Sequence, residues 1–211
     1  MACTGPSLGY PKWSMRRALY LARHGETAWN RVGRWQGHTD VGLNDAGRVQ
    51  AHALGHTLRA AGISRVHASD LSRARETAEI VAGLLGVGPV AIDAGLRERG
   101  FGCFEGLTRE ECAERFPEHW ERYRGGAGDS PPGGEPREQV IGRMQAAVHR
   151  AATTLSGETA PDAAALVVSH GGAMRAFLGS ITGQVPPPLD NGAIFRLLVV
   201  SGSFATVERL R

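Results

Sequence analysis

The stretch Ala18-Leu19-Tyr20-Leu21-Ala22-Arg23-His24-Gly25-Glu26-Thr27 changes character within two residues. Its apolar run, residues 18–22, reads as a buried strand, and Arg23-His24-Gly25 reads as the exit from that strand into a turn. In open α/β sheets ligands bind at the carboxyl ends of strands, so an imidazole and a guanidinium delivered there are placed for chemistry rather than packing. A second apolar run, residues 163–168, has the unbroken character of a strand covered on both faces. It too ends in a histidine, within Ser169-His170-Gly171-Gly172.

Working outward from these two runs, strand and helix patterns alternate. Residues 30–44 are rich in Gly and polar side chains and read as a long, functional loop. Asn44-Asp45 begins a helix with apolar spacing up to Gly62. Residues 66–69 suit a strand, 71–85 a helix closed by Gly86, and 90–92 a further strand. Residues 108–123 read as one helix or as two broken at Pro117. A Gly- and Pro-rich loop covers 125–136, helices follow over 138–155 and 173–181, and a hairpin pairs 194–200 with 205–210. The rhythm predicts an α/β protein, a three-layer α/β/α sandwich around a mostly parallel mixed sheet. A single domain is expected over residues 16–211, behind a disordered arm at 1–15.

At 211 residues the chain suits one compact domain. Lys12 is the only lysine among 24 basic residues, so its cationic sites are planar forks matched to oxyanions. The pI of 9.1 invites a nucleic-acid reading, but acids are interspersed and no basic block stands out. The chain therefore lacks the electrostatic footprint of a nucleic-acid binder. Three cysteines without close pairing argue against a disulfide framework and a zinc knuckle and fit a reducing cytoplasm. No apolar run approaches the ~18 residues of a membrane span, and the N-terminus lacks a secretory apolar core. His52 and His56 have the i,i+4 spacing of a zinc site, yet Ala53 stands where a general base belongs and no third ligand is evident, so they read as a solvated face. High Arg, Ala and Gly with almost no Lys suggests a high-GC bacterial source.

Arg23-His24-Gly25-Glu26-Thr27, with Trp29-Asn30 behind it, resembles the signature of the histidine phosphatase superfamily, which includes the cofactor-dependent phosphoglycerate mutases. The resemblance continues at Gln36-Gly37, at Ser69-Asp70-Leu71-Ser72-Arg73-Ala74, at Leu96-Arg97-Glu98 with Glu105-Gly106, and at Val168-Ser169-His170-Gly171-Gly172. These blocks stand in family order over residues 18–196, and they imply a phosphoglycerate mutase-like fold.

The residues suit phosphoryl transfer. A phosphomonoester carries about two negative charges at neutral pH, and attack on it needs cations around its equatorial oxygens and an in-line nucleophile. A neutral imidazole can be that nucleophile without a metal or cofactor. His24 is expected to form a phosphohistidine, an assignment the resemblance shares, while Arg23, Arg73 and His170 clamp the phosphoryl oxygens. The leaving alkoxide then needs a proton and the hydrolytic water must lose one, a double task for one carboxyl group. The family pattern places that group at Glu98, with Glu105 and Glu26 as competitors. Asn30, Gln36 and Gly37 match family positions near the phosphate and, with Gly171, are expected to meet substrate. Arg75 falls outside the Arg-Ala-x-x-Thr-Ala spacing and reads as a surface charge. Cys103 has no base beside it and does not read as a catalytic thiol.

The resemblance implies a histidine acid-type phosphatase, a phosphoric monoester hydrolase acting on a small phosphorylated metabolite. Phe101-Gly102-Cys103-Phe104-Glu105-Gly106 and Gly133-Gly134-Glu135 look like the phosphatase branch rather than the mutases, which carry an adjacent Arg pair for a second anionic group. Arg109, Arg115, Arg122 and Arg124 keep the mutase as an alternative, since a basic insertion over the site can read a second anion. Their other reading is a solvated helix balanced by neighbouring glutamates. A catalytically silent phospho-ligand-binding member is the alternative from another class, and it requires loss of a catalytic residue. The expected partner is a small phosphomonoester, with neither nucleic acid nor membrane, and a homodimer is left open.

Overall fold

The computed structural model describes residues 17–125, 130–160, 162–200 and 203–210. The arm expected at 1–15 and the centre of the closing turn lie outside the described residues. In chain order the elements are β1 (Arg17–Arg23), α1 (Ala28–Arg31), α2 (Asp45–Thr57), β2 (Ile63–Ala68), α3 (Ser72–Leu85), β3 (Ala91–Ile92), α4 (Arg109–Arg115), α5 (Pro117–Arg124), α6 (Arg137–Thr153), β4 (Ala164–Ser169), α7 (Gly171–Thr182), β5 (Ile194–Val200) and β6 (Ser203–Arg209).

The strands form one six-stranded sheet in the order β3-β2-β4-β1-β5-β6. The first four in that order run parallel, and β5 lies antiparallel to β1 and to β6. Strand alternation sorts the core into two faces. Leu19 and Leu21 pack with Met144 of α6 and Phe177 of α7, whereas Tyr20 and Ala22 pack with Leu54 of α2 and Val81 of α3. The expected three-layer sandwich is thus present. Leu19 and Leu21 are fully buried, and each such leucine contributes about 2 kcal/mol relative to exposure.

Several boundaries differ from the sequence reading, among them those of β2, which begins at Ile63, and of α6, which ends at Thr153. Helix α2 ends at Thr57 rather than running to Gly62, because Leu58 turns into the core as its C-cap. Helix α7 starts at Gly171 rather than at residue 173, because His170 is extended (φ −131°, ψ 160°) and forms the N-cap. The chain over 108–123 is two helices, broken at Phe116 before Pro117. They rest on a separate aromatic cluster of Trp35, Phe101, Phe104, Trp120 and Tyr123 around buried Cys112, with Trp35 and Phe101 ring centroids 4.6 Å apart.

Candidate active site

Register builds the centre of the site. Strands β1 and β4 pair with Arg23 opposite Ser169, so the next residue on each strand is a histidine. The His24 N–H donates to the Ser169 carbonyl at 3.0 Å, and the two imidazole centroids lie 5.0 Å apart. His24 is 2% exposed and His170 is fully buried.

Hydrogen bonds assign the ring protons. His24 Nδ1 lies 2.6 Å from the Gly25 carbonyl oxygen, which only accepts, so the proton sits on Nδ1 and the lone pair on Nε2. Arg73 Nε donates to His170 Nδ1 at 3.2 Å, which places the His170 proton on Nε2. Burial, reinforced by the neighbouring guanidiniums, holds both imidazoles well below the usual histidine range and therefore neutral at pH 7. The site thus carries one basic nitrogen and one N–H donor side by side.

The two arginines are pinned by backbone. Arg73, fully buried in the first turn of α3, donates from its two terminal nitrogens to the Thr39 and Gly37 carbonyls at 3.0 and 2.8 Å. Arg23 donates to the Leu189 carbonyl and lies over Gly171, where a Cβ would stand 3.2 Å from its Nε. Burial lowers the pKa of both guanidiniums while nearby Glu98 opposes the shift; both remain cations. Among the described residues, Arg23 Nε and His170 Nε2 are buried donors without a hydrogen-bond partner. Such orphans are costly in a folded protein and demand an acceptor.

Glu98 is seated on the N-terminus of α7. Its Oε1 accepts from the N–H groups of Ala173 (2.7 Å) and Arg99 (2.8 Å), and Oε2 accepts from Gly172 (2.9 Å). Two donors fill both lone pairs of Oε1, so Oε2 keeps the lone pair able to carry a proton. A Cβ at Gly172 would come within 2.7 Å of Oε1, so glycine leaves room for this approach. The competing carboxylates have other tasks. Glu105 accepts from the N–H groups of His38, Thr39 and Phe101, and Glu26 accepts from Asn44, the N-cap of α2.

The site opens into a cavity of about 610 Å³ lined by His24, Arg23, Arg73, Glu98, Asn30, Gln36, Gly37 and Gly171 among others. His170 is not among the lining residues; it is fully buried beside His24, ring centroids 5.0 Å apart. Gly37 adopts φ +52° with Glu105 where a Cβ would fall, which aims its carbonyl at Arg73. Asn30 has a structural share as well, since its Oδ1 accepts from the Thr27 N–H in the capping box of α1. The alternative readings also resolve. Arg75 pairs with Glu79 on the surface of α3, His52 and His56 are exposed, and burial pushes the Cys103 thiol up and that of Cys112 to about 11.

Sequence reasoning missed the supports of Glu98. Arg143 of α6 donates to the carbonyls of Gly95, Arg97 and Glu98 at 3.0, 2.6 and 2.8 Å and pairs with Glu135 at 2.6 Å. Asn191 donates to the His24 carbonyl at 3.1 Å. The only sequence signal for the clamp was Glu135 after two glycines.

Residues 19–207 match the family model described as "Histidine phosphatase superfamily (branch 1)". The chain belongs to this superfamily. As a histidine phosphatase superfamily member it is 39% identical over 160 residues to "Phosphoglycerate mutase-like protein 4" of Arabidopsis thaliana, covering 74% of this chain and 67% of that one. It is 36% identical to a "Metal-independent phosphoserine phosphatase" from the same plant, over 78% of this chain and 68% of that one. Among solved structures, mycobacterial glucosyl-3-phosphoglycerate phosphatase in complex with VO3 superposes with a TM-score of 0.80 at 28% identity, covering 92% of this chain and 98% of that chain.

The neutral histidines tie stability to pH. An unfolded imidazole titrates near pH 6.5, whereas the folded ones resist protonation, so on acidification the unfolded chain takes up protons first. Stability is full above about pH 6.5 and falls below it, by up to about 2.7 kcal/mol per pH unit for two residues. Urea unfolding between pH 7.5 and 5.5 is expected to show this slope, and His24→Asn/His170→Gln to flatten it. Equal slopes in the two proteins would remove the account.

Proposed function

We propose that this protein is a metal-independent phosphomonoester hydrolase, acting on a small phosphorylated metabolite through a phosphohistidine at His24. One observation carries the reading: an imidazole with its lone pair on Nε2 stands beside buried Arg23 and His170 donors that have no acceptor among the described residues. A phosphoryl group supplies those acceptors. Positive charge comes from Arg23 and Arg73, which supports a reaction without a metal; the relative named as metal-independent points the same way.

The lone pair of His24 Nε2 attacks phosphorus and forms the P–N bond as the ester P–O bond breaks. The Glu98 proton on Oε2 passes to the leaving oxygen. The resulting carboxylate then takes a proton from water, whose oxygen displaces Nε2 and releases phosphate. Preorganised donors on the phosphoryl oxygens are typically worth about 3–4 kcal/mol each in such a transition state.

The test is phosphate release from a panel of small phosphomonoesters in EDTA. Metal-independent release from some esters supports the reading. Isomerisation of 3-phosphoglycerate in the presence of its bisphosphate, without release, would transfer the assignment to the mutase that one relative's name suggests. Silence in both assays would leave a binding protein.

A further inference from the structure

The cavity holds more positive charge than one phosphoryl group requires, seven arginines against two glutamates. Most of these arginines have partners. Arg34 pairs with Glu111 at 2.6 Å, Arg99 donates to Ser130 and to the Glu135 carbonyl, and Arg175 donates to the Pro186 carbonyl at 2.8 Å. Arg109 and Arg137 differ: both line the cavity and neither makes a hydrogen bond or ion pair with a described residue, but Arg109 is exposed whereas Arg137 is half-buried. Arg137 is also the first residue of the 17-residue helix α6, where a cation opposes the helix dipole. Glu138 next to it does not compensate, since adjacent helical residues do not face each other. Local stability gives no reason for an arginine at this position.

Its place can be measured along α7. A Cβ at Gly179 would stand 3.1 Å from an Arg137 terminal nitrogen and 2.9 Å from Val185. Gly172, at the reacting end of the same helix, carries Glu98. From Gly172 to Gly179 an α-helix rises about 10 Å at 1.5 Å per residue. The wall between them includes Ala176 and Val185, which offer apolar surface.

We infer that the substrate is a doubly anionic phosphomonoester whose second anionic group, a carboxylate or phosphate, binds Arg137 roughly 10 Å from the transferred phosphoryl group. This selects esters with an intervening body of about sugar size or longer over compact phosphoglycerates. It makes Arg137 the residue that reads substrate length. The inference rests on the phosphatase reading and deepens it.

The experiment uses phosphate esters of ω-hydroxycarboxylic acids of increasing chain length, matching α,ω-bisphosphates, and p-nitrophenyl phosphate as a reference with no second anion. The readout is kcat/KM for each ester relative to the reference, within each enzyme. In the wild type this ratio is expected to rise with length to a maximum where the charges stand about 10 Å apart. Arg137→Met is expected to lower the maximum about ten- to hundredfold, mainly through KM, and Arg137→Lys to restore part of it. The carboxylate and bisphosphate arms show which anion is preferred. A wild type that hydrolyses the reference with no length optimum, or an optimum unchanged in Arg137→Met, overturns the inference and leaves the phosphatase standing. Failure to hydrolyse every ester, the reference included, overturns the phosphatase reading itself.

Discussion

His24→Ala is expected to lower kcat/KM for p-nitrophenyl phosphate by about four to six orders of magnitude, the usual scale for removing a covalent nucleophile. The residual rate belongs to the guanidiniums and the His170 donor, which polarise phosphorus but cannot attack it. The ring is 2% exposed and packs beside His170, so alanine leaves a small polar void rather than an exposed patch. Circular dichroism and urea unfolding separate loss of chemistry from loss of fold. The covalent step has its own signature, because a P–N bond is labile in acid and stable in base. Wild-type protein quenched during turnover with labelled substrate should retain base-stable, acid-labile label, and His24→Ala none. Label retained by the variant would place the nucleophile elsewhere.

Glu98→Gln is the second large effect, about a hundred- to ten-thousandfold in kcat for esters with poor leaving groups. The amide oxygen can replace Oε1 beneath Ala173 and Arg99, but its nitrogen then presents N–H to the N–H of Gly172, so the seat is weakened as well as the proton lost. The two half-reactions separate with p-nitrophenyl phosphate, whose leaving group needs no proton. Phosphorylation of His24 proceeds and hydrolysis of the intermediate stalls. Rapid mixing is expected to give a burst approaching one p-nitrophenolate per site, followed by a slow steady state. Equal loss for good and poor leaving groups, with no burst, would reduce Glu98 to a positioning residue.

The legibility of the site follows the distance over which its parts are determined. His24 and His170 were readable because each ends an uninterrupted apolar run, a local signal, and β1–β4 register then brings them together. Arg73 was readable from its motif spacing at the start of α3. The seat of Glu98 was not, because its partner Gly172 lies 74 residues away and a double glycine after a strand reads as a loop. The helix there begins two residues early only because His170 is held extended as its cap. Arg143 was hidden for a related reason: a cation in a helical pattern reads as solvated surface, and nothing in its neighbourhood announces three carbonyls from 95–98. Asn30, Gln36 and Gly37 line the cavity, but the sequence does not reveal that the Gly37 carbonyl also holds Arg73.

The aromatic cluster beneath α4 and α5 shares no residue with either face of the sheet. It reaches the cavity through Trp35, Phe101 and Tyr123, while Arg23, His24 and His170 stand at the ends of β1 and β4 and Arg73 on α3. The aromatic wall of the cavity therefore rests on a packing unit of its own. A chimera that exchanges only residues 108–124 for the matching segment of a relative leaves Glu105 and its hold on His38 and Thr39 in place, and is expected to reshape the aromatic wall of the cavity while keeping the paired histidines.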